Sequence, residues 1–263
     1  MGCAHRRAAR GVYVIAVTRN PESALSAAAA ATLQLDYEPM SRATPHTTDY
    51  TVTLLALAAV AEVGAGRRIT ELDPLGERAG AVLPAFLQAA REIVLATEEP
   101  DSRARYVFLG GLEAYGTAAY AAAKFHEAGG LTAFAGESEN FVHGMNFLLQ
   151  PSDLVVPIVD PGPAGFRAGE LARELPALAR THAVLGSRAA AADLPYRPLA
   201  DLSDEAPLTF PVLSALAGQS IALAVAETVC PDLERPRAGF PDGEHHLEVQ
   251  TRLMKEGRTV LPD

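Results

Sequence analysis

From residue 106 onward, short β-rich apolar runs alternate with longer stretches of helical period, and no other feature restricts the fold as much. The runs at 106–109, 131–134, 154–159 and 183–185 are strand-like, and the stretches 117–128, 137–149 and 166–180 between them are helical. A helix between two strands carries the chain back to the edge where the first strand began, so successive strands lie parallel. A parallel sheet needs helices on both faces to cover it. The expected fold class is α/β, a three-layer αβα sandwich with parallel sheets. Residues 207–229 add a last apolar helix, and 231–263 read as a polar tail, wrapped on the surface or loosely ordered.

The N-terminal part repeats the theme less completely. Residues 1–10 read as an opening helix, and the apolar run 12–17 as a strand buried on both faces. The Ala-rich stretch 24–31 reads as a helix entered through Asn20-Pro21-Glu22-Ser23. A longer helix covers 47–63 and is stopped by Gly64-Ala65-Gly66, and a third covers 83–96. Glu98-Glu99-Pro100-Asp101-Ser102 combines charge, Pro and Ser and is the expected linker. The expected organisation is a partial first unit at 1–98, a second at 103–235 and a tail at 236–263.

Charge and cysteine content exclude several classes of function. With 32 acidic and 22 basic residues the formal net charge is -10, which repels phosphodiester backbones and anionic lipid, so no nucleic-acid partner is expected. Cys3 and Cys230 are too few for a disulfide framework or a zinc site and fit a reducing, cytoplasmic setting. The run 12–17 is too short for a signal peptide, the apolar stretch 54–61 is too short to span a bilayer, and Arg6 stands where myristoylation prefers Ser or Thr. No membrane association is expected.

Three segments carry chemistry. Lys124-Phe125-His126-Glu127 is followed by Phe141-Val142-His143-Gly144, with the histidine 16 positions after the glutamate. Thr47-Thr48-Asp49-Tyr50-Thr51-Val52-Thr53-Leu54 opens a helix, and Gln219 on the last helix leads to Asp232-Leu233-Glu234-Arg235-Pro236-Arg237. Together these segments resemble the sugar isomerase (SIS) domain family, in particular double-SIS proteins similar to the isomerase half of glucosamine-6-phosphate synthase. In that family a helix ends in Lys-x-x-Glu and a His-Gly follows at the same separation. The departures are the family's Ser-x-Ser-Gly-x-Thr phosphate loop, which has no counterpart, Thr48 in place of a lysine, and Ala238-Gly239-Phe240-Pro241 where a lysine is expected. The first lobe is accordingly expected to be N-terminally incomplete, the chain beginning after the phosphate site, and no glutaminase is expected.

The resemblance implies an aldose-ketose isomerase of sugar phosphates or amino sugars, or a synthase-like enzyme, working without cofactor or metal as a homodimer. It makes Glu127 the proton shuttle, Lys124 a cation near the open-chain oxygens, and His143 the ring-opening group supplied by a partner subunit. Lys124 and Glu127 share a helix face, expected at the carboxyl edge of the sheet. Against this stands an ordinary helix-surface ion pair. His46 and Thr47 fall where the family touches the sugar, although Thr47 also suits a helix N-cap. Glu139 either lines the pocket or complements the helix dipole. Gly110-Gly111 reads as a turn needed for backbone geometry, and Glu244, His245, His246 and Glu248 as a solvated tail instead of a metal site. The alternative function is a non-catalytic sugar-binding or regulatory SIS module.

Overall fold

The structure is a computed structural model. It describes residues 10–38, 46–69, 74–96, 105–163, 165–179, 181–182, 184–186, 198–202, 205, 209–230, 232, 235 and 240–256. The expected opening helix at 1–9 and the expected linker at 98–102 lie outside the described residues. The chain packs as two units, the first comprising Met1–Arg42 and His46–Asp73 and the second Ala43–Pro45 and Pro74–Asp263.

In the first unit, strand β1 (Ile15–Thr18) pairs in parallel with β2 (Ala31–Gln34). The strand is shorter and more open than the run 12–17 suggests, with Val12 45% and Tyr13 70% exposed. The expected helix at 24–31 is only the single turn α1 (Ala24–Ala27), capped by the Ser23 hydroxyl. It stops because the Ala30 N–H turns to the Val14 carbonyl and the chain enters β2. Helix α2 (Thr47–Gly64) follows as expected, and Gly66 at φ 72 closes it.

The second unit begins with α3 (Leu75–Ala96), longer than the expected 83–96. Phe86, Ala90 and Val94, four apart and 4%, 0% and 3% exposed, form its buried stripe. That stripe places α3 against α7 (Phe210–Val229), where Arg91 meets Glu227 at 3.0 Å. The sequence reading assigned these residues to the first unit, whereas by packing they belong to the second. One apolar face on each helix decided this, and no linker composition reports it.

A parallel sheet forms the middle layer, in the order β4 (Thr132–Glu137), β3 (Arg105–Gly110), β5 (Leu154–Val159), β7 (Val184–Gly186), β8 (Pro198–Asp201). The two-residue strand β6 (Thr181–His182) pairs with the start of β5. Alternation along β3 sends its side chains to two cores. Val107 and Leu109 join Phe141, Val155, Leu171 and Leu175 on one side. Tyr106 and Phe108 meet Phe125 of α4 (Glu113–Gly129) on the other, at ring-centroid distances of 4.5 and 5.2 Å. Helices α5 (Ser138–Val142) and α6 (Gly165–Glu174) cover the first face, and α3, α4 and α7 lie on the second. This is the three-layer αβα arrangement expected. Helix α7 is long and apolar enough to cross a bilayer, but 67% of its apolar window is buried within the protein, as in a core helix.

Three local expectations are corrected. The helix expected over 137–149 breaks after α5, because Gly144 adopts φ 147, and resumes as a 3-10 turn at Met145–Leu148. The helix expected over 166–180 ends at Glu174 in a 3-10 turn that contains Pro176, whose missing N–H cannot continue the ladder. The expected polar tail holds helix α8 (Gly243–Glu256). At Gly110 a Cβ would stand 2.4 Å from the Ala114 carbonyl, so the glycine there serves the close approach of α4 to β3.

Candidate functional site

Helix α4 starts beyond the carboxyl end of β3 and finishes beside the amino end of β4, which begins three residues after it. Lys124 and Glu127 lie in its last two turns and so at the amino edge of the sheet. The His126 ring nitrogen, 2.8 Å from the Ala133 carbonyl at the start of β4, fixes the same end. This corrects the expected carboxyl-edge location. The alternation of strand and helix locates the motif on a helix, but which end of that helix carries it decides the edge.

Lys124 is 4% exposed, and its ammonium donates to the Glu127 carboxylate, whose side chain keeps 32% of its surface in solvent. The ammonium also lies 5.0 Å from the centre of the Tyr120 ring, and the Tyr120 hydroxyl accepts a 2.8 Å hydrogen bond from Gln219 Nε2. Burying an ammonium is costly unless it is paired, and here a carboxylate and an aromatic face share the task. An ordinary surface pair has both partners in water, and this one does not. The result is a carboxylate open to a ligand over a fixed buried cation. A carboxylate so placed can take a proton from one atom of a ligand and return it to the next, while the cation stabilises negative charge on neighbouring oxygens.

His143 lies on the opposite edge. It terminates α5 just past the carboxyl end of β4, with its side chain 73% exposed. Strand β4 separates the two edges by five steps of about 3.3 Å, or roughly 17 Å. Within one chain, Glu127 and His143 therefore do not meet. Around His143 is a second polar cluster. Glu139 Oε1 lies 3.2 Å from His143 Nε2, and Glu139 Oε2 accepts from Arg167 Nε at 2.7 Å. Arg167 Nη1 also reaches Glu170 Oε2 at 2.5 Å. The Arg167 guanidinium, and secondarily His143, hold the Glu139 carboxyl below its ordinary value. Glu139 is a first-turn carboxylate as well as an ion-pair partner, while the helix itself is capped by Glu137, whose Oε2 accepts from the Glu139 and Asn140 N–H groups. A groove of about 410 Å³ beside the cluster is lined by Val142, Arg167, Glu170, Leu171, Arg173 and Glu174.

Sequence reasoning missed Arg167 and Tyr120, and named Gln219 without its pairing to Tyr120. Arg167 is 28 residues from Glu139 and Gln219 is 99 from Tyr120, so only the packing of α6 on α5 and of α7 on α4 joins them.

In the first unit, His46 is the residue before α2 and makes no side-chain cap bond, and Thr47 is the first helical residue. The N-cap reading of Thr47 is thus corrected by one position. His46 Nδ1 is 3.6 Å from Asp49 Oδ2, and Asp49 accepts a hydrogen bond from the Tyr37 hydroxyl. Burial first, then the Asp49 carboxylate, pushes the Tyr37 phenol up, and the Arg19 guanidinium lies 4.8 Å over its ring. In the C-terminal segment, His246 meets Asp242 at 3.1 Å and Glu244 pairs with Arg235. Among the described residues no group of three or more His, Cys, Asp or Glu side chains is placed to hold a metal ion.

No family model and no curated protein sequence matches this chain. Solved structures do. Glucosamine-6-phosphate deaminase from Thermotoga maritima matches with a TM-score of 0.68 and 19% identity, over 88% of this chain and 66% of that one. Tagatose-6-phosphate ketose/aldose isomerase from Escherichia coli matches with a TM-score of 0.70 and 22% identity, over 85% of this chain and 63% of that one. The C-terminal domain of glucosamine-fructose-6-phosphate aminotransferase from Francisella tularensis matches with a TM-score of 0.68 and 18% identity, over 86% and 66%. The match thus spans 63% to 66% of the length of these structures. The class defined is a three-layer α/β protein with a parallel sheet. Its fold is that of the sugar isomerase (SIS) proteins, as the Lys-x-x-Glu and His-Gly segments imply.

Proposed function

We propose that this chain is a cofactor-independent aldose-ketose isomerase, or a synthase-like enzyme, acting on a sugar phosphate or amino-sugar phosphate in the cytoplasm. The observation that carries the reading is the pairing of a buried Lys124 with a half-open Glu127. In the open-chain sugar, the Glu127 carboxylate removes the proton from the carbon beside the carbonyl. The C–H electron pair becomes the C=C bond of an enediol, and the carbonyl oxygen takes up a proton beside the Lys124 ammonium. Return of the proton from Glu127 to the former carbonyl carbon, while the neighbouring hydroxyl gives up its proton and becomes the new carbonyl, completes the isomerisation with no net gain or loss of protons.

Ring opening falls to His143 of a second copy, because one chain holds Glu127 and His143 at opposite sheet edges. Glu139, pinned by Arg167, orients that imidazole. By the same resemblance His46 and Thr47 are sugar-binding residues. The two packing units are read as belonging to a first and a second SIS lobe. The net charge of -10 and the two cysteines support a cytoplasmic protein without nucleic-acid or membrane partners.

The test is exchange of the proton on the carbon beside the carbonyl of hexose 6-phosphates, C2 of an aldose or C1 of a ketose, in deuterated water, by the wild type and by Glu127→Gln. Exchange by the wild type alone supports the reading, and equal exchange by both removes Glu127 from the mechanism. Thr48 and Ala238, where the family carries lysines, favour the second reading, a sugar-binding module without turnover. Saturable binding of fructose 6-phosphate with no exchange would establish that reading instead.

A further inference from the structure

Taking Lys124 and Glu127 as the proton-transfer pair, we propose that Tyr120 and Gln219 are positioning residues that hold the Lys124 ammonium against Glu127. A lysine side chain has four rotatable bonds, and a buried ammonium serves catalysis only if its place is fixed. Tyr120 is one helical turn before Lys124 and 8% exposed, with its ring face toward the ammonium. The tilt of that ring is set by its hydroxyl, which accepts from Gln219.

Gln219 carries the sole side-chain amide of α7, a helix otherwise built largely of Ala, Val, Leu, Ile and Gly. An amide in such a helix is costly unless it finds a partner, and Tyr120 supplies one. The neighbouring Gly218 explains how the partner comes within reach. A Cβ at Gly218 would stand 3.0 Å from the Ala121 Cβ, so α7 and α4 are in close contact beside the hydrogen bond. Helix packing is thereby passed through Gln219 and Tyr120 to Lys124, and from Lys124 to Glu127. Neither residue touches a ligand in this scheme, and both act through the lysine.

The experiment measures exchange of the C1 proton of fructose 6-phosphate and tagatose 6-phosphate, and of the C2 proton of glucose 6-phosphate, by the full chain. It compares wild type, Glu127→Gln, Tyr120→Leu, Tyr120→Phe, Gln219→Leu and the Tyr120→Phe/Gln219→Leu double variant. With the ring removed, Tyr120→Leu should lose about tenfold or more in kcat while KM stays within about twofold. Tyr120→Phe keeps the ring and should recover most of that loss, ending about threefold below wild type. Gln219→Leu should match Tyr120→Phe, and the double variant should be no slower than either single, because both break the same hydrogen bond. Should Tyr120→Leu not fold, the two conservative variants and their double decide alone. Wild-type exchange rates in Gln219→Leu, or a double variant whose losses multiply, would overturn the proposal while Glu127 keeps its role. Absence of exchange by the wild type with all three sugars overturns the proton-transfer reading, and this inference with it.

Discussion

Leu112 occupies backbone that an L side chain rarely adopts, at φ 45 and ψ −112 in the turn between β3 and α4. Holding a non-glycine residue in such a region costs about 1–3 kcal/mol. Its side chain returns little of that, since Leu112 is 72% exposed. Burial of the remaining quarter or so contributes about 0.5 kcal/mol, scaled from about 2 kcal/mol for a fully buried leucine. Replacing Leu112 by Gly removes the strain, forfeits that burial and adds about 0.5–1 kcal/mol of unfolded-state entropy. With the strain near the middle of its range, the balance is a gain of about 0.5–1 kcal/mol. Replacing it by Ala forfeits the same burial but keeps the Cβ, so it should lose about 0.5 kcal/mol. The assay is urea unfolding followed by circular dichroism, with midpoints compared at unchanged slope. Leu112→Gly should unfold at higher urea than wild type and Leu112→Ala at lower. An alanine variant as stable as the glycine variant would show that the turn stores no strain.

Other outcomes follow from single contacts. Phe125, 0% exposed between Tyr106 and Phe108, should cost about 3–5 kcal/mol when replaced by Ala, measured by the same unfolding curves. The Arg91 guanidinium holds the Glu227 carboxyl below its ordinary value, so the folded state binds that proton less readily than the unfolded chain. The pair's contribution is therefore present above the ordinary carboxylate value and lost as pH falls through the depressed one. The stability difference between wild type and Glu227→Gln should shrink as the pH is lowered through and below the carboxylate range, and a difference independent of pH would refute the coupling. Arg167→Gln should let the Glu139 titration move up toward its ordinary value in a carboxyl-detected NMR titration, since Arg167 is its main depressing partner.

Much of the second unit was legible in the chain because its elements are specified locally. The runs at 106–109 and 154–159 are apolar throughout, as strands covered on both faces must be, and they became β3 and β5. The elements at 24–31 and 137–149 were misread because helix propensity was allowed to outvote a turn. In the first, a backbone bond to Val14 ends the helix, and in the second, Gly144 at φ 147 does. The candidate pair Lys124 and Glu127 was found from spacing alone, because residues three apart share a helix face whatever surrounds them.

Spacing also joined Glu127 to His143, but it is silent about direction. Connectivity through β4 puts them on opposite edges of one sheet, because each βα unit reverses the chain once and each motif sits at a different stage of that reversal. The support around Lys124 was likewise invisible, since Tyr120 and Gln219 become neighbours only when α7 crosses α4 at Gly218. By itself the sequence determined the alternation of strands and helices from residue 106 to 185, the parallel sheet and the identity of the acidic and basic groups, all properties of period and residue type. Tertiary structure alone decided which face of α3 is buried and against what, which edge bears each group, and which side chains hold the buried ammonium. Those depend on contacts between segments as much as 136 residues apart, whose packing no local pattern encodes.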